Sequence, residues 1–292
     1  MRLLMAFAMV FSFSLNLLAQ EYEIKFHRPV KVGDKCRDIS TGSSSQQSTV
    51  ISGGQVIKSA VVQTTIELDA EITILEIDNE GHSVKESMLV NQCTIRSEAK
   101  ENPVVEKGTV ITAMVKEGKV VFEIDGKAVD ESLSAALSLV ESLYTGGASD
   151  DEIFGASGKR KIGESWRLKT EKIPADMARH GIKVEEKNID GSVKLEKLEK
   201  SGDVECLLIT AEMTLKDIVP TLPAGLTVES SAMMNSFSDL FPLDTSMPTL
   251  DQALEFKMQM TMNGRPSPDA PAVKIISTND RKSSHKVMLV KK

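Results

Sequence analysis

A long stretch in which apolar and polar residues alternate is the feature that most constrains this fold. Every second position is apolar at Ile66, Leu68, Ala70, Ile72 and Ile74. This is the period of a strand with one buried face. The alternation covers residues 61–77, which at ~3.3 Å per residue would be a strand of roughly 56 Å, whereas typical strands have about 5 or 6 residues. The chain is therefore expected to build unusually long antiparallel strands.

Turn residues divide the first half of the chain into hairpins. Residues 78–81, Asp-Asn-Glu-Gly, predict a turn, and residues 84–95 predict the returning strand. A second hairpin is predicted from VITAMVK and KVVFEI on either side of Glu117-Gly118, followed by a turn at Asp125-Gly126. Both turns contain the glycine that tight antiparallel connections favour.

The last third of the chain also has strand patterns. Alternate positions are apolar at Phe256, Met258, Met260 and Met262, which predicts another half-buried strand. Residues 273–277 and 286–290 predict two short strands in a terminal hairpin. Prolines at both margins of residues 219–249 predict a strand or arm bounded by turns, with a mobile flap as the alternative.

One segment has the period of an amphipathic helix. Its apolar residues follow the spacing i, i+3, i+4, i+7 and i+11 at Leu133, Ala136, Leu137, Val140 and Tyr144. Acidic residues stand at its start and Gly146-Gly147 follow its end, as helix boundaries require. The pattern predicts a helix over residues 131–144, and its apolar stripe must be covered by the sheet.

Residues 145–158 contain four glycines and predict a flexible connector between two similar halves. KVGDKCRDIST at residues 31–41 aligns with KIGESWRLKT at residues 161–170, with Lys, Gly and Arg identical. We interpret residues 20–292 as a single β-rich domain with halves at about 22–145 and 159–292. Each half would open with a turn at Gly33 or Gly163 that leads into a strand. Chance similarity of so short a match is the alternative.

The fold class predicted from these patterns is mainly β (α+β). Very long antiparallel strands twist and coil, so a sheet of them becomes a long curved trough or partial barrel. One central amphipathic helix would pack on its concave face.

The first 19 residues predict export. Arg2 precedes an apolar stretch, and Ala19 stands before the charged run QEYEIK, which is the layout of a signal peptide. Leu17 is not the small residue that cleavage prefers, so an uncleaved anchor is the alternative. The expected location is periplasmic or extracellular, and after cleavage the protein would not be integral to a membrane. A net charge of −7 argues against nucleic acid as a partner.

Three cysteines in an exported chain leave one unpaired, whichever two pair. Cys36 and Cys93 both lie in strand-like segments and are the candidate disulfide, while Cys206 lies in an apolar setting. Three buried thiols are the alternative.

No catalytic or metal-binding pattern is found. The four histidines are far apart in sequence and are expected to be solvated. GASGK at residues 155–159 fits neither a nucleophile elbow nor a phosphate loop. The S-x-x-K at Ser283 lacks the companion motifs of the penicillin-binding enzymes. No metal or cofactor is expected.

The opening of each half, hydrophobic–G–[DE]–x–[WC]–R, together with long alternating strands, one central helix and a Met-rich late strand, resembles a family of exported bacterial β-rich proteins. More distantly, the arrangement is similar to the lipoprotein-carrier (LolA-like) half-barrels. In those proteins a curved antiparallel sheet cups a helix and holds lipid in the concavity. The resemblance implies the same architecture here and a lipid as ligand.

We therefore expect a non-catalytic envelope protein that binds an apolar ligand, a lipid or acyl chain, between the sheet and the helix. The candidate ligand-binding residues are Leu137, Val140, Phe256, Met258, Met260 and Met262. One alternative is an envelope scaffold or protein-interaction module with a self-filled core and no small ligand. An unrecognised hydrolase is a third hypothesis.

Overall fold

The alternating segment forms a strand of 23 residues, Gln55–Ile77, in a computed structural model that describes residues 20–98, 104–265 and 271–290. All five of its predicted inward residues, at positions 66, 68, 70, 72 and 74, are buried. The strand begins six residues earlier than the alternation because residues 55–60 extend it with both faces exposed. The predicted signal peptide, residues 1–19, lies outside the described residues.

The strands in chain order are β1 (Glu21–Tyr22), β2 (Lys35–Ser52), β3 (Gln55–Ile77), β4 (Ser83–Ser97), β5 (Val110–Lys116), β6 (Lys119–Ile124), β7 (Lys127–Ala128), β8 (Arg160–Lys161), β9 (Ser165–Arg167), β10 (Ile182–Lys183), β11 (Ile189–Ser201), β12 (Val204–Lys216), β13 (Val219–Pro220), β14 (Leu226–Pro242), β15 (Asp251–Gly264) and β16 (Val273–Leu289). The helices are α1 (Glu131–Leu137), α2 (Asp150–Ile153) and α3 (Ile173–Arg179), and a 3-10 turn covers Glu186–Asn188.

Within the described residues, twelve of these strands form one curved antiparallel sheet that does not close on itself. Its order is β7-β6-β5-β4-β3-β2-β16-β15-β14-β12-β11-β9. Each half of the chain is thus a meander of neighbouring strands, and the two meanders join where β2 pairs with β16. The predicted fold class, mainly β with a long curved antiparallel sheet, is confirmed. Of the described residues, no helix is long and apolar enough to cross a membrane.

Two strands are longer than the sequence patterns indicate because much of their length is polar. β2 continues through TGSSSQQST, which no apolar alternation marks as a strand, and β16 is one continuous strand rather than two short ones. Both are paired along both edges, β2 with β3 and β16, and β16 with β15 and β2. Backbone hydrogen bonds on two sides hold such strands without an apolar face.

The predicted helix is wrong in its length, since α1 ends at Leu137 rather than at Tyr144. Ser138 Oγ donates a hydrogen bond to Ser134 O at 2.8 Å, and the chain then tightens into a turn. The turn lies directly against β2 at Gly42, where an added Cβ would come within 2.7 Å of Leu139 Cβ. Asp130 caps the start of the helix by accepting from Leu133 N–H at 2.9 Å.

The glycine-rich connector and the proline-rich segment both contain regular secondary structure. The connector contains helix α2, which begins after Ser149 with a capping box between Ser149 and Glu152, and its role as a flexible link between halves stays a prediction. The mobile-flap alternative for residues 219–249 is also wrong, because β14 lies in the sheet between β12 and β15.

The inner face of the sheet carries two separate cores. One is formed by β3 to β6 and α1, which packs on the concave face against β3. The other is formed by β11, β12 and β14 together with residues 22–26, Trp166 and Ile173. The two cores leave room between them, beneath the strands at the centre of the sheet.

The turns predicted at Gly33 and Gly163 have matching geometry. Both glycines have left-handed φ values, 89° and 88°, which a residue with a Cβ rarely adopts. Gly33 N–H donates to Ile74 O at 2.9 Å, and Gly163 N–H donates to Leu195 O at 2.7 Å. The side chain of the acidic residue after each glycine accepts a hydrogen bond from the backbone N–H of the lysine three positions before that acidic residue, at 2.9 and 3.0 Å. The relation between the two halves stays a prediction.

Candidate functional site

A cavity of about 510 Å³ lies between the two cores, and we call it the central cavity. One wall consists of inward-facing residues of β14, β15 and β16. The other consists of residues 138–142, which follow α1, together with α2 and residue 26. The lining residues are Phe26, Ser138, Leu139, Val140, Glu141, Ser142, Asp150, Phe154, Asn235, Phe237, Asp239, Phe241, Thr249, Gln252, Leu254, Ser283 and His285.

Four phenylalanines form the apolar wall of the central cavity. The ring of Phe26 lies 5.2 Å from Phe241 and 5.9 Å from Phe237, centroid to centroid, both edge to face. Phe154 lies 5.1 Å from Phe237 in the same geometry. Aromatic pairs at these distances stabilise one another beyond the area they bury. The wall is therefore a fixed surface, although aromatic residues make up only 4% of the chain.

Each phenylalanine is positioned by a specific local contact. Phe237 and Phe241 alternate with Asp239 along β14, so all three face the same side of the sheet. Phe26 is held because its own N–H and that of His27 both donate to the Asp151 carboxylate, at 2.8 and 3.1 Å. The Phe154 carbonyl accepts from the Trp166 indole N–H at 2.7 Å.

Asp239 stands between the two phenylalanines of β14. Burial, with smaller contributions from the carboxylates Asp150 and Asp251, raises the pKa of its carboxyl to about 7. A hydrogen bond of 3.3 Å from Ala253 N–H acts in the opposite direction. Burial and the neighbouring Asp151 also raise the pKa of Asp150. Near pH 7 the carboxyl of Asp239 is therefore present in both its protonated and its ionised form.

A second group of carboxyls lies on the side of the cavity nearest α1. Burial raises the pKa of Glu141 well above its usual value, and the charges of Glu86 and Asp38 add to the effect. Asp38, on β2, also forms a hydrogen bond with His285: Asp38 Oδ2 lies 3.0 Å from His285 Nδ1. The seam between β2 and β16 thus carries a pair formed by a buried aspartate and a partly buried histidine at the cavity edge.

The predicted binding residues are only partly brought together. Val140 lines the central cavity, and Phe256 lines an adjoining space of about 190 Å³ with Leu139 and Leu254. Leu137 is completely buried in the first core. The methionines 258, 260 and 262 face the same side of β15 as Phe256. Met260 is buried and Met258 packs against the second core, and neither lines the central cavity.

Most of the cavity residues were missed from the sequence. Phe26 and Phe154 come from segments far apart in the chain, and Phe154 had been taken as part of a flexible connector. The alternation of Phe237, Asp239 and Phe241 was a detectable signal, because a carboxylate between two phenylalanines on a buried strand face is unusual. No local pattern marked Glu141.

The candidate disulfide between Cys36 and Cys93 is not formed, and all three cysteines are free thiols. Cys36 lies on β2 opposite Ile72, and Cys93 lies on β4 opposite Leu68, so the whole of β3 separates them. Two inter-strand spacings are about 9.6 Å, beyond the roughly 7 Å limit for bridged Cα atoms. Burial raises the pKa of the thiol to about 12 for Cys36 and about 11 for Cys93.

Of the four histidines, His180 is exposed as expected, whereas His27, His82 and His285 are partly buried. His82 is mostly buried and its ring lies between those of His27 and Tyr144, each 4.0 Å away. Its Nδ1 is 2.9 Å from Asp78 Oδ2. The fold brings together residues that are more than fifty positions apart, which spacing in the sequence does not reveal. In the described parts of the chain, no three His, Cys, Asp or Glu side chains are placed to hold a metal ion.

A second depression, of about 490 Å³, lies on the opposite face of the sheet. Its lining is largely charged and hydroxyl-bearing, with Lys194, Glu196, Glu212 and Glu255 among its residues. Phenylalanine clustering therefore distinguishes the central cavity from the other face.

No protein-family model matches the sequence, and no curated protein matches it at a significant level. Among solved structures, a lipovitellin studied for its lipid–protein interactions is 9% identical with a TM-score of 0.33, over 86% of this chain and 25% of that chain. A LolA superfamily protein from Nitrosomonas europaea is 8% identical with a TM-score of 0.15, over 95% and 94%. An outer membrane channel from Pseudomonas putida F1 is 8% identical with a TM-score of 0.18, over 91% and 98%.

The chain thus spans about a quarter of the length of the lipovitellin that it matches. Identities and TM-scores this low do not assign a function.

Proposed function

We propose that this chain is an exported, non-catalytic envelope protein that binds a lipid or acyl chain in the central cavity. The observation that carries the proposal is the wall of four phenylalanines, which concentrates nearly half of the chain's 9 Phe residues around one space. Apolar side chains that line a space instead of filling it favour an apolar ligand.

The size of the cavity supports the proposal. Its volume of about 510 Å³ lies within the range of roughly 300–1,000 Å³ typical of ligand sites. Burial of one methylene contributes ~0.8 kcal/mol, or about a fourfold gain in affinity. Affinity in a series of acyl chains should therefore rise about fourfold per carbon and stop rising when the cavity is full.

The experiment is a binding series with fluorescent-probe displacement by saturated chains of increasing length. A blocking variant, Leu254→Trp, places a large ring in the cavity from a partly exposed position on β15. Its matched control, Ala253→Trp, places the same ring on the opposite face of the same strand. Binding that survives in the control and is lost in the blocking variant supports the proposal.

Two results would overturn it. One is that protein from several expression hosts contains no extractable lipid and that no acyl chain displaces the probe from it. The other is equal loss of binding in Leu254→Trp and Ala253→Trp, which would place the ligand elsewhere.

A second candidate function, a protein-interaction module, is favoured by one exposed sheet edge. Within the described residues, the pairing of β3 with the β4 side ends at the hydrogen bond from Glu98 N–H to Gln63 O, so residues 55–62 are paired on one side. Val56 and Ile57 are 62% and 60% exposed there. An extended segment of a partner could add to such an edge. Its test is a co-purifying partner that is lost on Val56→Lys, while lipid binding persists.

A further inference from the structure

The central cavity has an uneven charge lining. Glu141, Asp150 and Asp239 all line it, and among the described residues no Lys or Arg does. Its one histidine, His285, is already matched by a carboxylate, Asp38, at 3.0 Å. The three remaining acids face the same space without a basic partner in its lining. Each of these acids, once ionised, gives a ligand bound beside it a negative charge with no Lys or Arg of the lining to offset it.

One residue that lines the same cavity has a buried acceptor atom without a donor. Asn235 Oδ1, on β14, is buried and receives no hydrogen bond from the described protein. A buried acceptor left unpaired destabilises a fold by about 1–3 kcal/mol, so it favours a ligand that brings a donor. A hydrocarbon chain or a carboxylate supplies none.

We propose that the preferred ligand of the central cavity is an amphiphile whose polar end is a protonated amine. This inference rests on the proposed function and specifies its ligand class. The alkyl chain lies on the phenylalanine wall, and the ammonium lies among Glu141, Asp150 and Asp239.

The donor count and the aromatic wall both fit this ligand. An ammonium has three N–H donors and no acceptor, which suits Asn235 Oδ1 and two carboxylate oxygens together. Charge-assisted hydrogen bonds of this kind are stronger than neutral ones. Phe237 and Phe241 flank Asp239 along β14, so a cation at Asp239 also has an aromatic ring on either side of it along the strand, and aromatic rings attract cations.

The groups that face Asp239 determine how binding depends on pH. Asp150 from α2, Glu141 from the turn after α1 and His285 from β16 line the same cavity. Asp251, on β15 next to Gln252, the pairing partner of Asp239, acts on Asp239 from the opposite face of the sheet. Because the pKa of Asp239 is about 7, its ionised fraction rises about tenfold between pH 6 and pH 8. Amine affinity should rise over this interval by up to about tenfold, since a cation binds the ionised form. Affinity for a fatty acid carboxylate should fall over it.

Arg28 is the nearest basic side chain that needs separate consideration. Its guanidinium stacks on the Phe241 ring at 5.5 Å and donates to Asp244 O at 3.3 Å. It lines a neighbouring crevice with His27 and Tyr144 rather than the central cavity. A carboxylate ligand in the cavity would therefore have no Lys or Arg of the described lining to pair with, and the one histidine there already has Asp38 as its partner.

The experiment compares dodecylamine with dodecanoate, both below their micelle concentrations, by calorimetry at pH 6, 7 and 8. At pH 8 the amine should bind at least tenfold more tightly. Asp239→Asn should lower amine affinity about tenfold at pH 8 and leave dodecanoate binding equal or stronger. Asp280→Asn removes an exposed carboxyl of β16 and controls for net charge, so it should change neither.

The two proposals fail in different ways. If neither ligand binds, or if Leu254→Trp leaves amine binding intact, the proposed function is wrong. If dodecanoate binds as tightly as dodecylamine at pH 8, the acyl-binding function stands and the amine inference is overturned. Should Asp239→Asn fail to fold, the pH dependence of the unmodified chain and the variant Glu141→Gln decide the question.

Discussion

Replacement of Asp239 by asparagine should stabilise the protein, and only above mildly acidic pH. The side chain stands on β14 between two phenylalanines, and its pKa is raised from 3.8 to about 7, mainly by burial. Asparagine has nearly the same shape, and its carbonyl oxygen can still accept the hydrogen bond from Ala253 N–H. The substitution therefore removes a buried charge and keeps the local packing.

The magnitude follows from the two pKa values. A tenfold change in proton affinity is about 1.4 kcal/mol, so ionised Asp239 destabilises the fold by at most roughly 4 kcal/mol above pH 7. Water reaches part of the side chain through the cavity, and we expect about half of this. Below pH 4 the carboxyl is neutral in both folded and unfolded protein, so the effect disappears there. Between pH 4 and 7 it grows steadily.

The assay is urea unfolding of both proteins at pH 4.5, 6, 7 and 8. The variant should gain about 2 kcal/mol in free energy of unfolding at pH 8 and much less at pH 4.5. Asp280→Asn, at an exposed position, is the matched control and should show no such trend. A constant difference at every pH, or a variant less stable than the original at pH 8, would refute the assignment of Asp239 as a buried carboxyl.

Three further predictions test the packing. Met260→Asp should lower the free energy of unfolding by several kcal/mol, because Met260 is only 6% exposed and the new charge has no partner; unchanged melting would mean that its face is open to water. Gly42→Ala should cost about 1–3 kcal/mol by pushing Leu139 away from β2, whereas Gly158→Ala, where nothing lies within 4 Å, should cost little; equal effects would disprove the close approach. His285→Ala should cost about 2–3 kcal/mol by leaving Asp38 buried without its partner, and a stability equal to the original would show that the pair is solvated.

The sequence predicted those elements whose signals are local. β3 has an alternating buried face, and β5 and β6 have a turn whose Glu117 and Gly118 both take positive φ. β2 and β16 could not be predicted in this way, since their pairing comes from neighbouring strands and not from their own apolar pattern. Helix α1 is shorter than predicted where a tertiary contact begins: the turn that follows the helix lies against Gly42.

The candidate site was predictable in kind but not in detail. An apolar space beside the helix followed from strand length, and Val140 does line it. Composition could not show that the scarce phenylalanines cluster. Phe26, Phe154 and Phe241 meet only because residues 22–26, at the start of the described chain, pack in the second core. The buried acids depend on the same long-range packing, and so they leave no trace in spacing.

The central claim is that an alkyl chain lies in the central cavity, and photo-crosslinking tests it most directly. A dodecylamine analogue with a diazirine near its chain end would be bound, irradiated, and mapped by peptide mass spectrometry. The account predicts adducts on residues 138–142, 235–241 and 252–254, suppressed by Leu254→Trp and retained in Ala253→Trp. Adducts concentrated on the opposite face, around Lys194 and Glu212, would contradict it. So would an adduct yield no higher than that of an irradiated control with unfolded protein.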